Sequence, residues 1–82
     1  MNQNIKFMKL TPGEKFALLR KLNGKSLEEV AAYMKLTLDA YLRLEDDFVY
    51  PSDQQIEKLG RFYGVSYEEV MAVGEGDRYW KD

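Results

Sequence analysis

The side chains here that could do chemistry are carboxylates, lysines, arginines, tyrosines and serines, because the 82 residues include no cysteine and no histidine. That removes thiolate nucleophiles, the usual neutral-pH general base and the commonest metal ligand together. The one concentration of acids is Glu45-Asp46-Asp47. Three consecutive acids read as a solvated loop rather than as a catalytic dyad or a metal site. No spacing matches a nucleotide-binding or zinc motif. The sequence predicts no enzyme, no cofactor, no metal and no small-molecule substrate.

The elements that would position the remaining side chains are announced by helix caps. Thr11-Pro12-Gly13-Glu14 has capping-box spacing with proline at the first helical position, and opens a helix that ends near Leu22 at Asn23-Gly24. Ser26 and Glu29 open a second helix at Leu27. Thr37 caps a third, where Ala40 cannot complete the box. Ser52 and Gln55, behind Pro51, open a fourth that stops at Tyr63-Gly64. Ser66 and Glu69 open a short fifth, closed by Gly74. Helical spacing turns Phe16, Leu19 and Leu22 inward, with Leu27, Val30, Ala31 and Met34, then Leu36, Tyr41 and Leu44, then Ile56, Leu59, Phe62 and Tyr63, then Val70 and Met71. No strand alternation of useful length interrupts residues 11–73. The expected fold is all-α, five short helices around one core, with the second and third forming a helix-turn-helix.

The domain is expected over residues 11–73. Residues 1–10, with Ile5, Phe7, Met8 and Leu10 among lysines, read as an N-terminal arm or a short strand. Residues 74–82 read as a tail in which Gly74-Glu75-Gly76-Asp77 is a flexible linker and Tyr79-Trp80 either hangs free or hooks onto protein. An apolar content of 45% and a mean hydropathy of −0.51 describe a soluble globular chain. No apolar run approaches the ~18 residues of a membrane span, so a cytoplasmic protein with no membrane partner is expected. The net charge of −2 alone argues against nucleic acid, but its distribution is uneven. Residues 1–35 carry seven Lys/Arg and three Glu, net +4; residues 36–82 carry five basic and eleven acidic residues, net −6. Such asymmetry permits a basic face on an acidic molecule.

Several features together identify a resemblance: Arg20, Gly24-Lys25-Ser26, Glu28-Glu29-Val30-Ala31, Thr37, Glu45 six residues before Pro51-Ser52, and Gly64-Val65-Ser66 before Glu68-Glu69-Val70. In this spacing residues 11–72 resemble the Cro and phage-repressor helix-turn-helix domains, the Xre-like (lambda-repressor-like) domains of bacterial and phage regulators. The resemblance implies a transcriptional regulator, such as a repressor, that binds double-stranded DNA with its third helix, about Thr37–Leu44, in the major groove. It implies contacts from Lys25, Ser26 and Leu27 at the start of the second helix and from Lys35 in the turn. It implies base-reading positions at Thr37, Leu38, Asp39, Leu42 and Arg43, and backbone contacts from Tyr50 and Ser52. It implies that Arg20 pairs with Glu45, tying the first helix to the third. A homodimer through Val65, Tyr67, Val70, Val73, Tyr79 and Trp80 would read half-sites about one DNA turn apart.

This sequence departs from the family pattern where DNA would be met. Leu27 stands where a glutamine is frequent, and Lys35 where a turn glycine is usual. Asp39 lies four residues before Arg43, a favourable spacing for an ion pair that would occupy the cation best placed to read guanine. Glu45-Asp46-Asp47 replaces a loop that is often basic or glycine-containing. Leu27, Leu38 and Leu42 would therefore form an apolar patch, and the second expectation is a helix-turn-helix turned to a protein partner, as an antirepressor-like interaction module.

Overall fold

Each helix begins where a hydroxyl can accept an otherwise orphaned backbone N–H. In the computed structural model, which describes residues 10–75, the helices are α1 (Pro12–Leu22), α2 (Leu27–Met34), α3 (Leu38–Glu45), α4 (Asp53–Tyr63) and α5 (Tyr67–Ala72). No strand occurs among the described residues. Thr11 Oγ1 accepts from the Glu14 N–H at 3.1 Å while the Glu14 carboxylate accepts from the Thr11 N–H at 2.9 Å. The same reciprocal pair opens α2, α4 and α5. Thr37 makes half of one: its hydroxyl accepts from the Ala40 N–H at 3.1 Å, and alanine returns nothing. Each such cap is worth about 1 kcal/mol, enough to fix where short helices start.

One core joins the five helices. It is built from Phe16 and Leu19 of α1, Val30, Ala31 and Met34 of α2, Tyr41 and Leu44 of α3, Ile56 and Leu59 of α4, then Val70 and Val73. Helix α3 lies against α1 and α2, α4 against α2 and α5, and α5 against α1. Thus α3 is held from behind by two helices, with its other side outward.

Leu22, expected inward, is 61% exposed. At 100° per residue it sits roughly 120° around the helix from Phe16, off the side that Phe16 and Leu19 bury. Val70 and Val73, expected at a dimer interface, are instead 0% and 2% exposed. Helix α5 has only six residues, and its apolar side is used up against α1 and α4. Val73 lies past the last helical residue, where 3.6-residue spacing gives no signal.

The packed body runs through Gly74 and Glu75, which a linker reading would leave free. A Cβ at Gly74 would collide with Leu10, and Gly74 adopts φ +75°. The Lys15 side chain is 5% exposed, and its ammonium donates to the Met71 carbonyl and pairs with the Glu75 carboxylate. A lysine is rarely buried without such a partner. The rest of the expected arm, residues 1–9, and the Tyr79-Trp80 hook lie outside the described residues.

Candidate nucleic-acid interface

The turn between α2 and α3 takes three residues. Lys35 closes α2 in the left-handed region (φ 60°, ψ 41°), and its N–H reaches back to the Ala31 and Ala32 carbonyls. The Leu36 N–H donates to the Ala31 carbonyl at 3.0 Å, and Thr37 then caps α3. A lysine at φ +60° carries the strain that glycine would avoid. Its side chain is exposed at the corner of the two helices.

Behind α3 the protein builds a buried polar hub on Glu45. Its carboxylate accepts from Arg20 Nε at 2.8 Å, from Arg20 Nη2 at 3.1 Å and from the Tyr41 hydroxyl at 2.6 Å. A two-pronged guanidinium contact fixes orientation as well as charge. Arg20 Nη1 also reaches the Lys25 carbonyl at 3.4 Å, so one side chain links α1, the entry to α2 and the end of α3. The hydrogen bonds that Arg20 donates to Glu45 raise the Arg20 pKa further. Burial first, then the Glu45 carboxylate, pushes the Tyr41 phenol far above its ordinary value. Burial and the same carboxylate push Tyr63 up to about 12. The Tyr63 hydroxyl is buried with no hydrogen-bond partner among the described residues.

The three consecutive acids are split among separate tasks. Glu45 faces the hub. Asp47, at φ +65°, turns back to the start of α1, where its carboxylate accepts from Thr11 Oγ1 at 2.6 Å and from the Gly13 N–H at 3.0 Å. Asp46 is exposed, with no ion-pair partner among the described residues. Gly13 allows this seam: a Cβ there would collide with the Leu44 and Glu45 carbonyl oxygens.

On the outward side, Thr37, Leu38, Asp39 and Arg43 are exposed on one surface of α3. Asp39 Oδ2 accepts from Arg43 Nε at 3.1 Å. Both side chains are open to water, so the pair is worth at most about 1 kcal/mol. Leu42 is half-buried, and Leu27 packs against the core, so only Leu38 of the three leucines is substantially exposed. Lys25 is half-buried with its ammonium 5.6 Å from the Phe62 ring centre, a cation–π contact. Ser26, Thr37 and Ser52 use their hydroxyl oxygens as caps for α2, α3 and α4. A hydroxyl that accepts still has its own proton to donate. Tyr50 is 72% exposed.

Two features carried no weight in the sequence. Phe48 and Val49, beside Tyr50, are 78% and 47% exposed. Their signal was present: three apolar residues between a helix end and Pro51, with no helix of their own to bury them. The Asp47 cap on α1 had no local signal, since its partners are 34 and 36 residues away.

Two short helices joined by a three-residue turn, the second braced from behind, define a helix-turn-helix protein, and comparison with known families agrees. The family model described as helix-turn-helix matches residues 16–70, and the chain belongs to that family. It is similar to the HTH-type transcriptional regulators PuuR of Escherichia coli (strain K12) and Shigella flexneri, at 32% identity over 66 residues in each case. The match covers 80% of this chain but 36% of theirs, so the chain spans about a third of the length of these curated relatives.

Proposed function

We propose that this chain is a DNA-binding transcriptional regulator, or the DNA-reading part of one, and not an enzyme. The observation that carries the reading is the outward face of α3, exposed along Thr37, Leu38, Asp39 and Arg43 while Glu45, Arg20 and Tyr41 lock the helix from behind. A recognition helix enters the major groove with its N-terminal residues at the base edges, and a rigid mount keeps them in register. Family membership and the regulatory role named for the two relatives support it. In this mode Lys35 and Lys25 lie toward the phosphates, the Ser26 and Ser52 hydroxyls donate to them, and Arg43 and Thr37 face the bases. Leu38 meets a thymine methyl.

A homodimer, with two copies on half-sites about one turn apart, fits this reading. Val65 and Tyr67 are the remaining contacts of the expected interface within the described residues. They line an open groove with Asp53, Glu57, Arg61, Ser66 and Glu68, where the Tyr67 hydroxyl donates to Asp53 at 2.9 Å. No helix among the described residues is long and apolar enough to cross a membrane, and action in the cytoplasm follows from the DNA-binding role.

Fluorescence anisotropy of the protein on mixed-sequence duplex DNA, from low to physiological salt, tests the reading. Binding that weakens steeply with salt is expected. Lys35→Ala should weaken binding to all sequences and flatten the salt slope by about one, whereas Arg43→Ala should relax specificity at one base position. Absence of binding even at low salt would sink the proposal.

A further inference from the structure

Phe48, Val49 and Tyr50 turn three consecutive apolar side chains to water, at 78%, 47% and 72% exposure. Single exposed apolar residues are ordinary, but a contiguous run marks a surface meant to be covered. The segment is held in place. The Phe48 and Val49 N–H groups both donate to the Arg43 carbonyl, at 2.9 and 3.3 Å. Asp47 is pinned to Thr11 and Gly13, and Pro51 is buried. A loop already fixed in shape loses little freedom on binding, which favours its use as a contact.

Beside Phe48 lies a cleft of about 270 Å³ lined by Asp39, Leu42, Arg43, Asp46 and Phe48. It falls below the ~300–1,000 Å³ of small-molecule pockets and suits a single side chain. Leu42 and Phe48 supply apolar walls. Arg43 offsets Asp39 only, which leaves Asp46 uncompensated and the cleft with one net negative charge. The uncompensated Asp46 carboxylate repels phosphate, so duplex DNA does not complement the Asp46–Phe48 end of the cleft. An arginine or lysine does: its aliphatic stem lies along Leu42 and the Phe48 ring, and its charged head meets Asp46.

We propose that the Phe48–Tyr50 loop and the adjoining Leu42–Phe48 cleft form a docking site for a second protein that presents a basic side chain flanked by apolar ones. The cleft shares Asp39, Leu42 and Arg43 with the outward face of α3, while the Phe48–Tyr50 loop lies beyond the end of that helix, so the partner and duplex DNA would compete for the shared residues. It goes beyond the DNA-binding reading, because the exposed Phe48–Tyr50 loop that carries it takes no part in base reading. Tyr50 belongs to this protein contact rather than to the phosphate backbone.

The test is selection of a displayed random-peptide library on the immobilised 82-residue chain. Enriched peptides should carry Arg or Lys next to Leu or aromatic residues. Their affinity should fall more than about tenfold on Phe48→Ser and on Tyr50→Ser, made separately, and by less on Asp46→Asn. Circular dichroism melting should be unchanged in all three, since these side chains are exposed. Acidic peptides, no enrichment, or equal binding to the serine variants would overturn the proposal. So would a dimer seen by sedimentation that Phe48→Ser abolishes, which makes the occupant a second copy. A loss of duplex-DNA affinity on Phe48→Ser as large as the loss of peptide binding would also overturn it, assigning the loop to DNA.

Discussion

Two ion pairs on α3 show how burial sets the worth of the same chemistry. Arg20–Glu45 is nearly closed to water, with side-chain exposures of 15% and 6%, while Arg43–Asp39 is open at 60% and 79%. Removing one partner of a buried pair strands the other charge and costs about 3–5 kcal/mol. Glu45→Ala also strips the Tyr41 hydroxyl of its acceptor. We expect urea unfolding of Glu45→Ala or Arg20→Ala to show a loss in that range, a large share of the ~5–15 kcal/mol that stabilises a domain. Asp39→Asn should cost less than about 1 kcal/mol. Equal, small losses at both sites would contradict the buried hub.

Among the elements, the start of α1 and the end of α3 meet backbone to backbone at Gly13. Gly13 lets the Leu44 and Glu45 carbonyls approach, and Asp47 completes the junction by capping α1 from across the seam. Gly13→Ala forces two backbones apart and should cost about 1–3 kcal/mol, as overpacking does. Asp47 separates two causes. Asp47→Gly loses the cap, worth about 1 kcal/mol, but relieves the left-handed strain. Asp47→Ala loses the cap and keeps the strain, so it should fall about 1–2 kcal/mol below the glycine variant. Thermal melts of both variants check the order; an alanine variant as stable as the glycine one would remove φ +65° from the account.

For the whole molecule, the tyrosines set an alkaline limit. Tyr41 and Tyr63 have raised pKa values in the folded state, Tyr63 at about 12, against an ordinary value near 10. A raised folded pKa gives stability that is complete below about pH 10 and is lost as pH rises toward the folded value, because the unfolded chain releases those protons first. The expected result is cooperative loss of helix signal between about pH 10 and 12, with the tyrosinate absorbance of Tyr41 and Tyr63 appearing in step. Helix signal that stays intact at about pH 12 would contradict it.

The helix starts were legible because their causes are local. Ser26 and Glu29, or Ser52 and Gln55, lie three residues apart, and that spacing alone assembles a capping box in any context. The same locality made Asp39–Arg43 readable at four residues. Leu22 was misread because a helix wheel gives a stripe but not its edge, which depends on which neighbours arrive. Val73 was missed because it packs after its helix has ended. The sequence by itself determined five capped helices, their apolar stripes and a helix-turn-helix. The resemblance also implied the Arg20–Glu45 pair, which the structure shows. Only the tertiary structure decided that Asp47 would cap a helix 34 residues away, that Lys15 would be buried against Glu75, and that Phe48 would be left in water. Those outcomes depend on which distant surfaces meet and what they exclude from solvent, and no local spacing encodes that.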